Sequence, residues 1–500
     1  MALCADQRLS AGITDSLGAG VRLMFKPTMG TWWLADRPEI QVPGYLQVDE
    51  SHLWPWRLTV LGRLAEPDPG WDNTVTLFGQ TTRGLYTLHA AHPGDMREGG
   101  GPSENIVAVD WHSPVLFANG HVMPKARFRH ASFTYPHLIE WFKARYNGYV
   151  RRSGALPEDN SWEHLHEVEL SSGARLSVAL VRHRQLSWAS KSHSWKAEYT
   201  LTSEAGFTFT ELSKIQWGLS RLHAIMLGTH VRELQTTLTN DPASSWVEVV
   251  EASPPVGEDW NGISPLFNAD EVDVGSFLSR WLDLSSSAPM IASAAAPHAA
   301  IGSVQGNIQD LCNAVEWLFA RIEGPDDRAI QPEDQAILDA MVGPVFNSDQ
   351  RRRVTHLMTQ SVQVTLEQKL TRLAGMLGPE SAAWLLGSVS DWAYVISRVR
   401  NSLTHGFLVL GHDDVRLLGD ADLTLTTVLQ LALLNYCGYT NALCPVPGEM
   451  LWSRGELMRG TRDAYIVDRS EGLATRSGEW ALRARLLRQA AMGHSAPEGP

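Results

Sequence analysis

A chain of 500 residues with 44% hydrophobic residues is long enough for two or three folded domains. Its formal charge of −13 excludes a protein that binds nucleic acid through bulk positive charge, so any RNA site must be a local basic patch. Cys4, Cys312, Cys437 and Cys444 have no metal-ligand spacing, and there is neither a basic-then-apolar leader nor a run of 18 apolar residues, so the expectation is a cytoplasmic protein with free thiols, no membrane segment, no metal and no cofactor.

Residues 18–205 read mainly as β, in short alternating or aromatic-rich runs separated by Gly, Pro, Asn and Asp. The clearest runs are 20–33, 53–64, 73–90 and 105–119, with a hairpin at 167–180 around Ser171-Ser172-Gly173 and a strand at 195–204. The stretch 136–149 looks more helical. Most of the 19 Trp lie in this half, which predicts a well-packed region built on large aromatic contacts. From residue 209 the apolar period becomes helical, over 209–231 and 274–284. The Ser-, Ala- and Pro-rich stretch 285–302 reads as a connection or a loosely specified helix, and the domain boundary falls there. Helices are then expected at 308–322, from Pro332, at 366–377, at 381–410 and at 421–439, with short links that suggest a bundle of about 140 residues. The fold class is α+β: a β-rich domain over 1–285, an all-α bundle over 300–445, and an arginine-rich tail over 446–500. That tail suits an RNA-contacting arm and a solvated helix about equally.

The bundle carries Arg400-Asn401-Ser402-Leu403-Thr404-His405. An arginine and a histidine on one helix surface can cleave RNA without a metal, because the guanidinium binds the phosphate and the imidazole moves protons near neutral pH. With 18 His in the chain, about one accidental Arg-x4-His match is expected, and Arg351 with His356 supplies one. Helical context separates the two. On a helix over 391–410, Trp392, Val395, Ile396, Val399, Leu403 and Leu410 form an apolar stripe, while Ser397, Arg400, Asn401, Thr404 and His405 form the opposite one. A solvated polar face gives the same pattern. Gly406 either ends this helix or admits a close partner.

An all-helical bundle with an R-polar-x3-H motif late in its length resembles the HEPN superfamily of ribonucleases, and Ala314-Val315-Glu316-Trp317 is similar to that family's opening helix. The run from Val75 to Leu88 resembles the "hydrophobic-G-x-T-x-x-G-x-x-T-L" strand pair of the ApeA N-terminal domain. The resemblance implies a bacterial anti-phage protein of the abortive-infection type, with a β-rich sensor ahead of a HEPN endoribonuclease that uses no metal. It implies attack by an RNA 2′-hydroxyl on the adjacent phosphorus, with His405 as general acid or base, Arg400 stabilising the phosphoryl oxygens and Asn401 orienting the histidine or the phosphate. The implied partners are RNA (tRNA first, mRNA second), a second copy of the chain paired through the bundle, and a phage-derived trigger.

Thr404, Arg351, Arg352 and Arg353 are weaker RNA-contact candidates, and Glu316 and Asp391 weaker site candidates that a surface charge or a helix-end residue explains better. His164-Leu165-His166 is a weak metal pair. Two other readings stay open: a non-catalytic HEPN-like protein that binds a nucleotide or a partner chain, and a carbohydrate-active β domain, for which no closely spaced carboxylate pair stands out.

Overall fold

The computed structural model describes residues 27–49, 54–64, 74–99, 106–135, 138–142, 163–186, 191–228, 231, 235–241, 246–250, 265–297, 303–323, 340, 347–350, 353, 364–405 and 412–439. Packing divides the chain into two units, 1–220 with 231–262, and 221–230 with 263–500.

The first unit is built on thirteen strands among the described residues: β1 (Thr28–Leu34), β2 (Arg37–Val48), β3 (Trp56–Leu61), β4 (Val75–Thr81), β5 (Gly84–Gly99), β6 (Ile106–Ser113), β7 (Val115–Ala118), β8 (Arg127–Thr134), β9 (Glu163–Glu169), β10 (Arg175–Leu186), β11 (Lys191–Thr208), β12 (Gln235–Thr239) and β13 (Val247–Val250). They hydrogen-bond in the order β4-β1-β2-β3-β6-β5-β7-β13-β12-β8-β11-β10-β9, and a further β4–β5 pairing closes the first six into a barrel. Closure removes the free edges of those six strands. The barrel is filled by the inward half of an alternating pattern, including Trp32, Leu46, Trp56, Leu58, Leu77, Leu88 and Trp111. The β9–β10 hairpin turns where the sequence places it, with Gly173 at φ 77°. The expected helix over 136–149 is a single described turn, α1 (Leu138–Trp141).

The Val75–Leu88 run proves to be architecture. Gly79 lies opposite Trp32 in the β1–β4 register, and a Cβ there would come within 2.3 Å of the indole. The Thr81 hydroxyl accepts from the Arg83 N–H at 3.0 Å and donates to the Gly84 carbonyl at 3.2 Å, setting the hairpin turn. Gly84 takes φ 132°, which favours glycine. Thr87, fully buried, accepts from the Val122 N–H at 3.0 Å and donates to the Gly120 carbonyl at 3.2 Å.

Helix α2 (Phe209–Leu227) follows β11, and packing divides the chain within it. The second unit contains α3 (Val274–Ser287), α4 (Pro289–Ala295), α5 (Val304–Glu323), α6 (Leu366–Gly375), α7 (Pro379–Leu386), α8 (Val389–His405) and α9 (His412–Cys437). Helices α5, α6, α8 and α9 each touch the other three. Of the two readings of 285–302, the helix holds as far as residue 295: α3 packs on α4 and α9, and α4 on α5 and α9, because Phe277, Trp281, Ile291 and Ala295 are all buried. The packing boundary therefore lies near 262, ahead of the 285 read from composition. The single helix expected over 381–410 is two, broken where Gly387 takes φ 67°. The segments from Pro332, at 406–411 and over 446–500 lie outside the described residues.

Helix α9 is the centre of this unit. Its window Leu417–Cys437 has a mean hydropathy of 1.4, apolar and long enough by those measures to cross a membrane, yet 72% of it is buried inside the unit. The Trp392 indole N–H on α8 donates to the Thr424 hydroxyl on α9 at 3.1 Å, and that hydroxyl donates to the Asp420 carbonyl at 2.7 Å. Thr424→Val keeps the volume and orphans a buried donor, so it is expected to destabilise this unit by about 1–3 kcal/mol, read as a lowered midpoint in urea unfolding of the full chain.

Candidate functional site

Helix α8 is preceded by Ser388, whose hydroxyl accepts from the Asp391 N–H at 3.3 Å and donates to the Asp391 carboxylate at 2.7 Å. Asp391 is thus engaged in capping the first turn. The apolar stripe is where the periodicity puts it: Trp392, Val395, Ile396 and Val399 are buried. Ser397 departs from expectation. It is buried, and its hydroxyl donates to the Tyr394 carbonyl at 2.9 Å, which satisfies the group within its own helix. Leu403 is half-buried, and Leu410 lies outside the described residues.

The exposed stripe therefore starts later, with Arg398, Asn401 and Thr404 exposed and Arg400 half-buried among them. The Arg400 guanidinium donates to the Asn401 side-chain oxygen at 3.3 Å and lies 3.9 Å from the Glu316 carboxylate on α5. The two charged side chains are 28% and 37% exposed, so this ion pair is worth at most about 1 kcal/mol to the fold. Its consequence is positional, for it holds the guanidinium over the α5–α8 seam. The Thr404 hydroxyl donates to the Arg400 carbonyl at 2.9 Å. His405 is the last residue of α8, one turn beyond Asn401; its side chain lies outside the described atoms. Arg353 is exposed, while Arg351, Arg352 and His356 lie outside the described residues.

Two neighbours were not singled out as site residues from sequence. Arg398 is exposed, lies over the Tyr394 ring at 5.2 Å, and falls in line with Asn401 and His405 at i, i+3 and i+7. That spacing was the available signal. Trp317, beside Glu316 on α5, is 43% exposed.

Beneath the seam, burial pushes the Cys312 thiol up to about 12, outweighing the opposing pull of the nearby Arg400 charge. Cys437 is likewise pushed up to about 12 by burial. Both thiols are expected to stay unmodified by an alkylating reagent at pH 8 in the native protein and to react once it unfolds, as read by peptide mass spectrometry.

Among the described residues no three His, Cys, Asp or Glu are grouped to hold a metal. In the pair proposed from β9, His166 lies 6.0 Å from the Phe142 ring, and the His164 side chain lies outside the described atoms.

The chain thus joins a unit containing a closed β-barrel to a helical unit whose α8 presents a cationic, amide-bearing stripe. The family profile of ApeA N-terminal domain 1 matches residues 28–281, and the chain belongs to this family. Membership supports a role in anti-phage defence. The match ends inside α3, past the packing boundary near 262, so the family's shared sequence runs into the second unit. No curated protein and no solved structure matches the chain.

Proposed function

We propose that this protein is a metal-independent HEPN endoribonuclease acting in anti-phage defence by abortive infection, in the cytoplasm. The carrying observation is the convergence on one helix of a partly exposed arginine, an exposed amide beside it and a terminal histidine, with the guanidinium oriented by a carboxylate from a second helix. In this reading the RNA 2′-hydroxyl attacks the adjacent phosphorus and the 5′-oxygen of the next nucleotide leaves. The products are a 2′,3′-cyclic phosphate and a 5′-hydroxyl. His405 transfers the proton, Arg400 stabilises charge on the non-bridging oxygens, and Asn401 orients Arg400. Two bundles paired through this stripe would supply two arginines and two histidines to one cleft. The N-terminal unit would respond to a phage-derived trigger, and RNA, with tRNA the first candidate, would be the substrate.

One observation favours a second reading, a binding protein without catalysis. Arg400 already has a carboxylate partner, as a purely structural arginine would. Phage challenge of cells expressing wild type or His405→Ala separates the two. Loss of protection by a variant that is still folded and of unchanged oligomeric state supports the nuclease; full protection by the variant supports the binding protein.

A further inference from the structure

The outer wall of the barrel carries a polar cleft. On β3, β6 and β5 the register places Arg57 opposite His112 and His112 opposite His92, while Thr59 pairs with Asp110. The intervening Leu58 and Trp111 fill the barrel, so this polar row points away from the core. Asp110 is nevertheless buried. Its carboxylate accepts from Arg57 at 2.5 Å, from Thr59 at 2.6 Å and from Arg97 at 3.4 Å. These charge-assisted bonds make a rigid floor.

Above that floor β5 bulges. Two residues, Gly94 and Asp95, stand against Asp110 alone between the Pro93–Trp111 and Met96–Val109 pairs. A Cβ on Gly94 would approach the His112 ring to 2.8 Å, so glycine lets the bulge lie directly on the imidazole. Bulges of this kind re-aim side chains and recur beside binding sites. Here the bulge sends exposed Asp95 and Arg97 to the rim of a cleft of about 240 Å³. On the other side Trp54 stacks on His92, with centroids 4.1 Å apart and planes 15° from parallel. The cleft thus offers a flat aromatic wall, a carboxylate and a guanidinium that is 65% exposed.

The ligand class follows from three features. The lining holds two arginines against three aspartates, which disfavours a bare anion. The volume falls below the roughly 300–1,000 Å³ of sites for drug-sized ligands. The rim presents a donor and an acceptor beside an aromatic plane, which suits a flat neutral group with both kinds of edge. A nucleobase is such a group. Guanine matches best, since its N1–H and N2–H₂ can donate to a carboxylate while O6 and N7 accept from a guanidinium. We propose that this cleft on the barrel wall binds a guanine base, as a free nucleotide or within single-stranded RNA. The proposal does not depend on the ribonuclease reading.

The test is calorimetric titration of full-length Arg400→Ala protein, in which the α8 stripe lacks its arginine. The probes are GMP, AMP, CMP, inorganic phosphate and a guanine-containing tetraribonucleotide. GMP or the tetranucleotide should bind, AMP and CMP more weakly, and phosphate not at all. Asp95→Ala, Arg97→Ala and Trp54→Leu should each weaken binding by about tenfold or more, the first two without shifting the thermal transition. Asp95 and Arg97 are exposed, so their removal leaves the core intact. Failure of both guanine probes to bind, binding unaffected by all three substitutions, or equal competition by phosphate would overturn the assignment.

Discussion

Replacing Arg400 with Ala is expected to lower RNA cleavage by about 10²–10³-fold, the usual cost of removing one group that stabilises developing charge in a transition state. Lys at the same position should recover only a small part. A guanidinium gives two parallel donors to a phosphate and to its positioning groups, whereas an ammonium gives a point charge. One terminal nitrogen of the guanidinium donates to Asn401 at 3.3 Å while the other lies 3.9 Å from Glu316, a division that a single ammonium does not reproduce. Single-turnover cleavage of a labelled RNA measures the effect. Because Arg400 is partly exposed and its ion pair contributes little to the fold, thermal stability should hardly change. A variant that loses activity and unfolds together would instead make Arg400 a structural residue.

Gly79→Ala carries the largest expected effect on stability. A methyl group there would meet three atoms of the fully buried Trp32 ring at 2.3–2.6 Å, and the ring belongs to the core of a closed barrel. Such overpacking costs about 1–3 kcal/mol and at times more. Urea unfolding followed by tryptophan fluorescence reports this loss. The decisive form is a cycle with Trp32→Leu. If the clash is the cause, Gly79→Ala costs much less in the Trp32→Leu background, and the two effects are far from additive. Strict additivity would contradict the packing described for this pair.

How much was legible in the sequence follows the range of the interactions. The β9–β10 hairpin is local, and Ser171-Ser172-Gly173 announces it. The apolar face of α8 is periodic, and Trp392, Val395, Ile396 and Val399 are buried as the period requires. Ser397 escaped because a small hydroxyl can be satisfied by its own helix, so its polarity says nothing about exposure. The break at Gly387 escaped because apolar periodicity continues through it, while the backbone turns at one positive φ. The glycines and threonines of the Val75–Leu88 run were visible as a signature; Thr81 and Gly84 set a local turn, but the reasons for Gly79 and Thr87 lie elsewhere in the chain, at Trp32, Gly120 and Val122. The barrel-wall cleft was invisible for the same cause: Arg57 and Asp110 are 53 positions apart, and only strand pairing brings them together. The Glu316–Arg400 pair is likewise a product of helix packing, and resemblance alone had drawn notice to Glu316.

The most direct test of the central claim is cleavage of total RNA by purified full-length protein in EDTA, with Arg400→Ala and His405→Ala alongside and the new ends identified chemically. The account predicts cleavage by wild type alone, leaving 2′,3′-cyclic phosphates and 5′-hydroxyls. Equal cleavage by all three proteins, or activity abolished by EDTA and restored by a divalent metal, would contradict it.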